Sequence, residues 1–108
     1  MDESGALAAF GALSNATRLR IVKELVAAGP EGRTAGDIAG AVAASPSRAS
    51  FHLSALANAG LVTSTQAARE VTYRADFDAI GAVLRYFLED CCSGDESIRA
   101  CCLDAKCC

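Results

Sequence analysis

The stretch that decides the fold is Ser45-Pro46-Ser47-Arg48-Ala49-Ser50-Phe51-His52-Leu53-Ser54-Ala55-Leu56, closed by Ala59-Gly60. Ser45 followed by Pro46 is an N-cap with proline at the first helical position, where the missing N–H does no harm. The spacing predicts a helix running to about Ala59 and stopped by Gly60. Immediately before it lies Thr34-Ala35-Gly36-Asp37, a capping-box variant with Asp in the place of Glu. That cap opens a short helix with Ile38 and Val42 turned inward, and Ala43-Ala44 make a tight connection to the longer helix.

Working outward, Leu61 to Thr65 is rich in β-branched residues and reads as a strand. Glu70 to Ala75 reads as its antiparallel partner, with Gln66-Ala67-Ala68-Arg69 as the hairpin tip. Upstream, residues 4–13 form one helix, and Asn15 caps a second with Leu19, Val22, Leu25 and Val26 as its apolar stripe. Gly29-Pro30 stops it, and residues 29–33 read as a loop. Downstream, a last helix after Asp76 carries Ile80, Val83, Leu84, Phe87 and Leu88 and ends at Ser93-Gly94, with a short polar turn or helical segment around Ile98. A short helix, a tight turn, a longer helix and a two-stranded wing describe a mainly α winged helix-turn-helix. The expected organisation is a DNA-binding and dimerisation domain over 1–92 and a cysteine-rich tail over 93–108.

Composition agrees with one modest domain: 108 residues, 52% hydrophobic and 21% charged. The net charge of −3 is unevenly spread. Between Ala44 and Ala75, Arg48, Arg69 and Arg74 face only Glu70, whereas from Glu89 onward five acids outnumber Arg99 and Lys106. The middle can therefore meet phosphates while the acidic end stays clear. No apolar run approaches the roughly 20 residues of a membrane helix, and Met1-Asp2-Glu3 lacks the basic start of a secretory signal. A cytoplasmic protein is expected. There is no catalytic signature, and no enzyme is expected.

Three motifs, Asn15-Ala16-Thr17-Arg18-Leu19-Arg20-Ile21-Val22, Ser47 through Leu56, and Ala59-Gly60-Leu61-Val62, resemble the ArsR/SmtB repressors, and Arg69 with Tyr73-Arg74 is similar to that family's wing. The resemblance spans roughly residues 5–90. It implies a dimeric repressor that leaves its operator DNA on binding a metal or metalloid. In that setting Ser45, Ser47, Arg48, Ser50 and Phe51, at the start of the recognition helix, and Arg69 at the wing tip are the expected DNA contacts. His52 is expected either at a phosphate or in a helix-to-helix hydrogen bond. The stripes Ala6-Phe10-Leu13 and Ile80-Leu84-Phe87-Leu88 are expected to build the dimer from the first and last helices.

All six cysteines fall at or after Cys91, as Cys91-Cys92, Cys101-Cys102 and Cys107-Cys108. Bridges confined to one end could not staple a core, so they read as a ligand set in a reducing compartment. Cys91 continues the stripe of Ile80, Leu84 and Phe87 at spacings of 4, 3 and 4. Trivalent arsenic prefers three soft thiolates. Cys91 and Cys92 would supply two and Cys101 or Cys102 the third, with Cys107 and Cys108 dispensable. Adjacent pairs suit structural zinc poorly; Cd²⁺, Pb²⁺ or Hg²⁺ and a thiol redox switch are the alternatives. Some arsenic sensors of the family place a cysteine motif ahead of the recognition helix, but Arg33 to Ile38 contains no thiol. The family's zinc sensors use Asp and His along the last helix, and the sole histidine here is His52. The remaining match is to arsenic-responsive members with cysteines at the end of the last helix, induced by arsenite or methylarsenite.

Overall fold

The computed structural model describes residues 1–91 and 95–98. Helices α1 (Glu3–Leu13), α2 (Ala16–Ala28), α3 (Ala35–Ala41), α4 (Pro46–Asn58) and α5 (Phe77–Arg85) each begin on a side-chain cap. The caps are Asp2, Asn15, Thr34, Ser45 and Asp76, each accepting a backbone N–H three residues on at 2.8–3.3 Å. Each such bond satisfies a donor the helix cannot and is worth about 1 kcal/mol. Asp95 does the same for residues 96–98, bonding the N–H groups of Ser97 and Ile98 at 3.0 and 3.2 Å. None of the described helices is long and apolar enough to cross a membrane.

Strands β2 (Val62–Ala67) and β3 (Glu70–Ala75) form the wing. The strands extend further toward the tip than the sequence predicts, with Gln66 opposite Val71 and Ala67 opposite Glu70. Only Ala68 and Arg69 turn the chain, and Ala68 takes a positive φ of 55°. A further difference lies upstream. The predicted loop over 29–33 contains a 3-10 turn (Gly29–Glu31), and its end enters a strand, β1 (Arg33–Thr34), which pairs with Tyr73 and Thr72 to give an antiparallel sheet of order β1-β3-β2. The close approach depends on Gly32. Its φ is +71°, and a Cβ there would run into the Tyr73 carbonyl and lie 2.7 Å from Arg74 Cγ.

The core gathers Ile21, Leu25, Ile38, Leu53, Leu56 and Leu61, all fully buried, with Ala9, Val42, Val62, Ala75 and Val83 around them. In α2 the inward residues are Ile21 and Leu25, whereas Leu19 and Val26, expected inside, are exposed. Both sets fit a 3.6-residue period; packing against α3 and α4 chooses between them. Helix α1 likewise buries Ala6 and Ala9 and leaves Leu7 and Phe10 exposed. The last helix does not run on as α beyond Arg85: Tyr86–Cys91 is a π turn. Its wider turn advances less per residue than the ~100° of an α-helix, a departure from the regular α geometry that the 4-3-4 spacing assumes.

Candidate nucleic-acid interface

Helix α4 has two sharply different faces. Ala49, His52, Leu53 and Leu56 are buried against α2 and α3, and burial of each leucine contributes about 1.5–3 kcal/mol. Ser45, Ser47, Arg48, Ser50, Phe51 and Ser54 are all exposed. Ser47, Ser50, Phe51 and Ser54 share one stripe, at i, i+3, i+4 and i+7. The first turn also carries the positive end of the helix dipole, which favours phosphate. Ser45 spends its hydroxyl on that turn, accepting the Arg48 N–H at 3.3 Å. Ser54 is absent from the sequence reading, although its spacing from Ser47 was the signal for it.

α3 reaches α4 through a tight turn in which the Ala44 N–H donates to the Ala39 carbonyl at 3.0 Å and Ala43 adopts a φ of 54°. α3 and α4 thus stand as the two arms of a helix-turn-helix, braced by Ile38, Leu53 and Leu56. The wing stands beside them. Its root is strapped by Arg74, whose Nε donates to the Pro30 carbonyl at 3.0 Å and whose Nη1 donates to Thr65 Oγ1 at 2.8 Å. Arg74 therefore positions the hairpin, while Arg69 is exposed at the tip. Arg33 is engaged with Glu24 at 2.7 Å on the far side of β1.

His52 is only 7% exposed, under the α4 surface. Its Nδ1 lies 3.3 Å from Arg18 Nη1, and Arg18 Nε donates to the Ala12 carbonyl at 2.6 Å. Of the two roles the sequence left open, the geometry provides the helix-to-helix hydrogen bond, with the ring packed inward. Burial, then the charges of Arg18 and Arg48, hold the ring below the ordinary imidazole pKa. A neutral Nδ1 accepts from the guanidinium.

Exposed apolar side chains collect elsewhere. Leu7 and Phe10 of α1 and Leu84 of α5 are exposed, as is Phe87 just beyond α5. The rings of Phe10 and Phe87 meet edge to face, with centroids 6.0 Å apart and planes at 79°. The two predicted stripes therefore join through this ring pair.

Of the expected ligands, Cys91 ends the π turn, and Cys92, Cys101 and Cys102 lie outside the described residues, as do Cys107 and Cys108. Among the described residues, no group of three or more His, Cys, Asp or Glu side chains is placed to hold a metal.

Comparison with known proteins gives a consistent result. A helix-turn-helix domain family matches residues 13–65. An ArsR-like transcriptional regulator from Rhodococcus sp. RHA1 is similar over 90% of this chain and 89% of that one, with 30% identity and a TM-score of 0.72. NolR from Sinorhizobium fredii is 29% identical over 80% of this chain and 83% of its own, with a TM-score of 0.63. The homodimeric winged helix-turn-helix DNA-binding domain Mb0332 from Mycobacterium bovis, solved by NMR, is 29% identical over 81% and 84%, with a TM-score of 0.62. No protein of curated function matches the sequence.

Proposed function

The chain belongs to the ArsR-like family of winged helix-turn-helix transcriptional regulators, and from that premise we propose that it is a dimeric repressor released from its operator by trivalent arsenic. The observation that carries the DNA reading is the divided surface of α4. Every hydroxyl and guanidinium of its first turns is exposed, while its other face is locked into the core. Ser47, Arg48 and Ser50 meet base edges or phosphates in the major groove, and Arg69 meets a flanking phosphate or the minor groove. Two copies of α4 read successive major grooves about 34 Å apart. Leu7, Phe10, Leu84 and Phe87 form the face on which the two copies pack, a reading supported by the homodimeric state of the Mycobacterium bovis relative.

The inducer reading rests on the sequence. Three Cys-Cys pairs follow the last helix, α3 begins without a thiol, and the only histidine is committed to Arg18. Cys91, Cys92 and one of Cys101 or Cys102 supply the three thiolates that arsenite or methylarsenite requires. A tail thiol drawn onto the end of the last helix disturbs the neighbouring dimer face and with it the spacing of the recognition helices. Cytoplasmic reduction keeps these thiols available.

The test is an operator gel shift on the reduced protein, titrated in parallel with arsenite, methylarsenite, Cd²⁺, Pb²⁺ and Zn²⁺. Release by arsenicals that is lost in the Cys91→Ser, Cys92→Ser double variant supports the assignment. Release by cadmium or lead alone makes the protein a soft-metal sensor, and release that needs an oxidant makes it a redox switch. Undiminished arsenite response in the double variant overturns the ligand set.

A further inference from the structure

We infer that Phe51 reads the C5 methyl group of a thymine in each operator half-site. The inference rests on the repressor reading above and specifies what one residue of its surface recognises. Phe51 is 67% exposed, more than any other large apolar side chain among the described residues. Leu7, Phe10, Leu84 and Phe87 belong to the face assigned to a second copy; Phe51 stands instead on the α4 stripe of Ser47, Ser50 and Ser54.

Its ring is also held in place. It meets the buried His52 ring edge to face, at 5.6 Å between centroids and 68° between planes. His52 is in turn tied to Arg18. The phenyl group is therefore presented outward from a fixed base.

Chemistry narrows what that ring can recognise. Phenylalanine has no donor, so it cannot hold a phosphate oxygen or a base acceptor. The apolar feature of the unmodified major groove is the thymine C5 methyl. The serine hydroxyls beside it both donate and accept, and so discriminate weakly between base pairs. Arg48, one turn away at i−3 and about 5–6 Å distant at Cβ, suits guanine. The thymine read by Phe51 should then lie within about two base steps of that guanine, at ~3.4 Å per step.

The experiment uses the full-length reduced protein and duplexes enriched from a random pool. Each thymine of the enriched operator is replaced by deoxyuridine, which removes only the methyl. Burying one methyl is worth about 0.8 kcal/mol, so affinity should fall about fourfold when the methyl is lost from one half-site and about fifteenfold when it is lost from both. Phe51→Ala, an exposed substitution that leaves the fold intact by circular dichroism, should bind more weakly and treat thymine and deoxyuridine alike. A 5-methylcytosine arm at the same step should recover part of the wild-type affinity lost on placing cytosine there. Equal wild-type binding to thymine and deoxyuridine at every position overturns the inference, as does discrimination that survives in Phe51→Ala. Failure to enrich any sequence removes the repressor reading itself, and this inference with it.

Discussion

Arg18 Nη1 stands 3.3 Å from His52 Nδ1, and the same guanidinium holds the Ala12 carbonyl at 2.6 Å. One side chain thus joins the last turn of α1, the start of α2 and the buried face of α4. The arrangement needs a neutral imidazole, since a protonated ring would face Arg18 and Arg48 with a third positive charge and would lose its acceptor.

Stability should therefore depend on pH through His52. Its folded pKa is lowered by burial and by those two arginines, so the unfolded chain binds more protons between the folded value and the ordinary one near 6.5. Across that window stability rises with pH; above it the contribution is complete and flat. Urea unfolding at intervals between about pH 5 and pH 8 should show this slope, and His52→Gln should flatten it. An unchanged slope in the variant would assign the pH dependence to other groups.

Placing a carboxylate in the ring pair should split the dimer. Phe87→Asp or Phe10→Asp puts a charge where the edge-to-face contact joins the two apolar helix ends. Sedimentation is expected to give a monomer at micromolar concentration, with operator affinity down at least tenfold although α4 is untouched. A dimer that persists in both variants would place the interface on another face.

Salt dependence should be shallow for a DNA-binding protein. Arg74 is committed to Pro30 and Thr65 and Arg18 to Ala12 and His52, which leaves Arg48 and Arg69 as the exposed cations of α4 and the wing tip. Two such cations in each of two protomers give a slope of log K against log salt of about −3.6 if all meet phosphate. Arg69→Ala should reduce that slope by about 1.8 with little change in sequence preference, whereas Arg48→Ala should also relax preference at one base step. A slope twice as steep would mean that other basic residues join the interface.

Two alanines occupy left-handed backbone positions, Ala43 at a φ of 54° in the turn before α4 and Ala68 at 55° at the wing tip. An L-residue there costs about 1–2 kcal/mol, part of which glycine returns as lost chain entropy. Ala43→Gly and Ala68→Gly are each expected to stabilise the fold by about 0.5–1 kcal/mol in chemical unfolding. Destabilisation by either would mean that the methyl group packs more strongly than its exposure indicates.

Local signals carried most of this architecture. Asn15, Thr34 and Ser45 each announced a helix start, because a cap is a contact over three residues, and Gly60 closed α4 with a φ of 79°. What escaped was non-local. β1 consists of two residues and exists only because Tyr73 and Thr72 pair with it. The phase of α2 depends on which neighbours cover it, so Ile21 and Val26 could not be ranked by spacing. The role of His52 is set by an arginine thirty-four positions away. The π turn over Tyr86–Cys91 has no residue signature comparable to a cap.

Gly32 has a consequence for how this sequence can drift. Any side chain there would push the backbone away from Tyr73, separate β1 from β3, and carry off Thr34, whose hydroxyl starts α3. Gly29 also holds a positive φ, of 70°, so within the loop around it Pro30 and Glu31 are the positions left to vary, provided a carbonyl is kept for Arg74. Chains that share this backbone should therefore accumulate changes on either side of position 32 and retain glycine at it, a fixed point in a surface segment that would ordinarily be among the quickest to diverge.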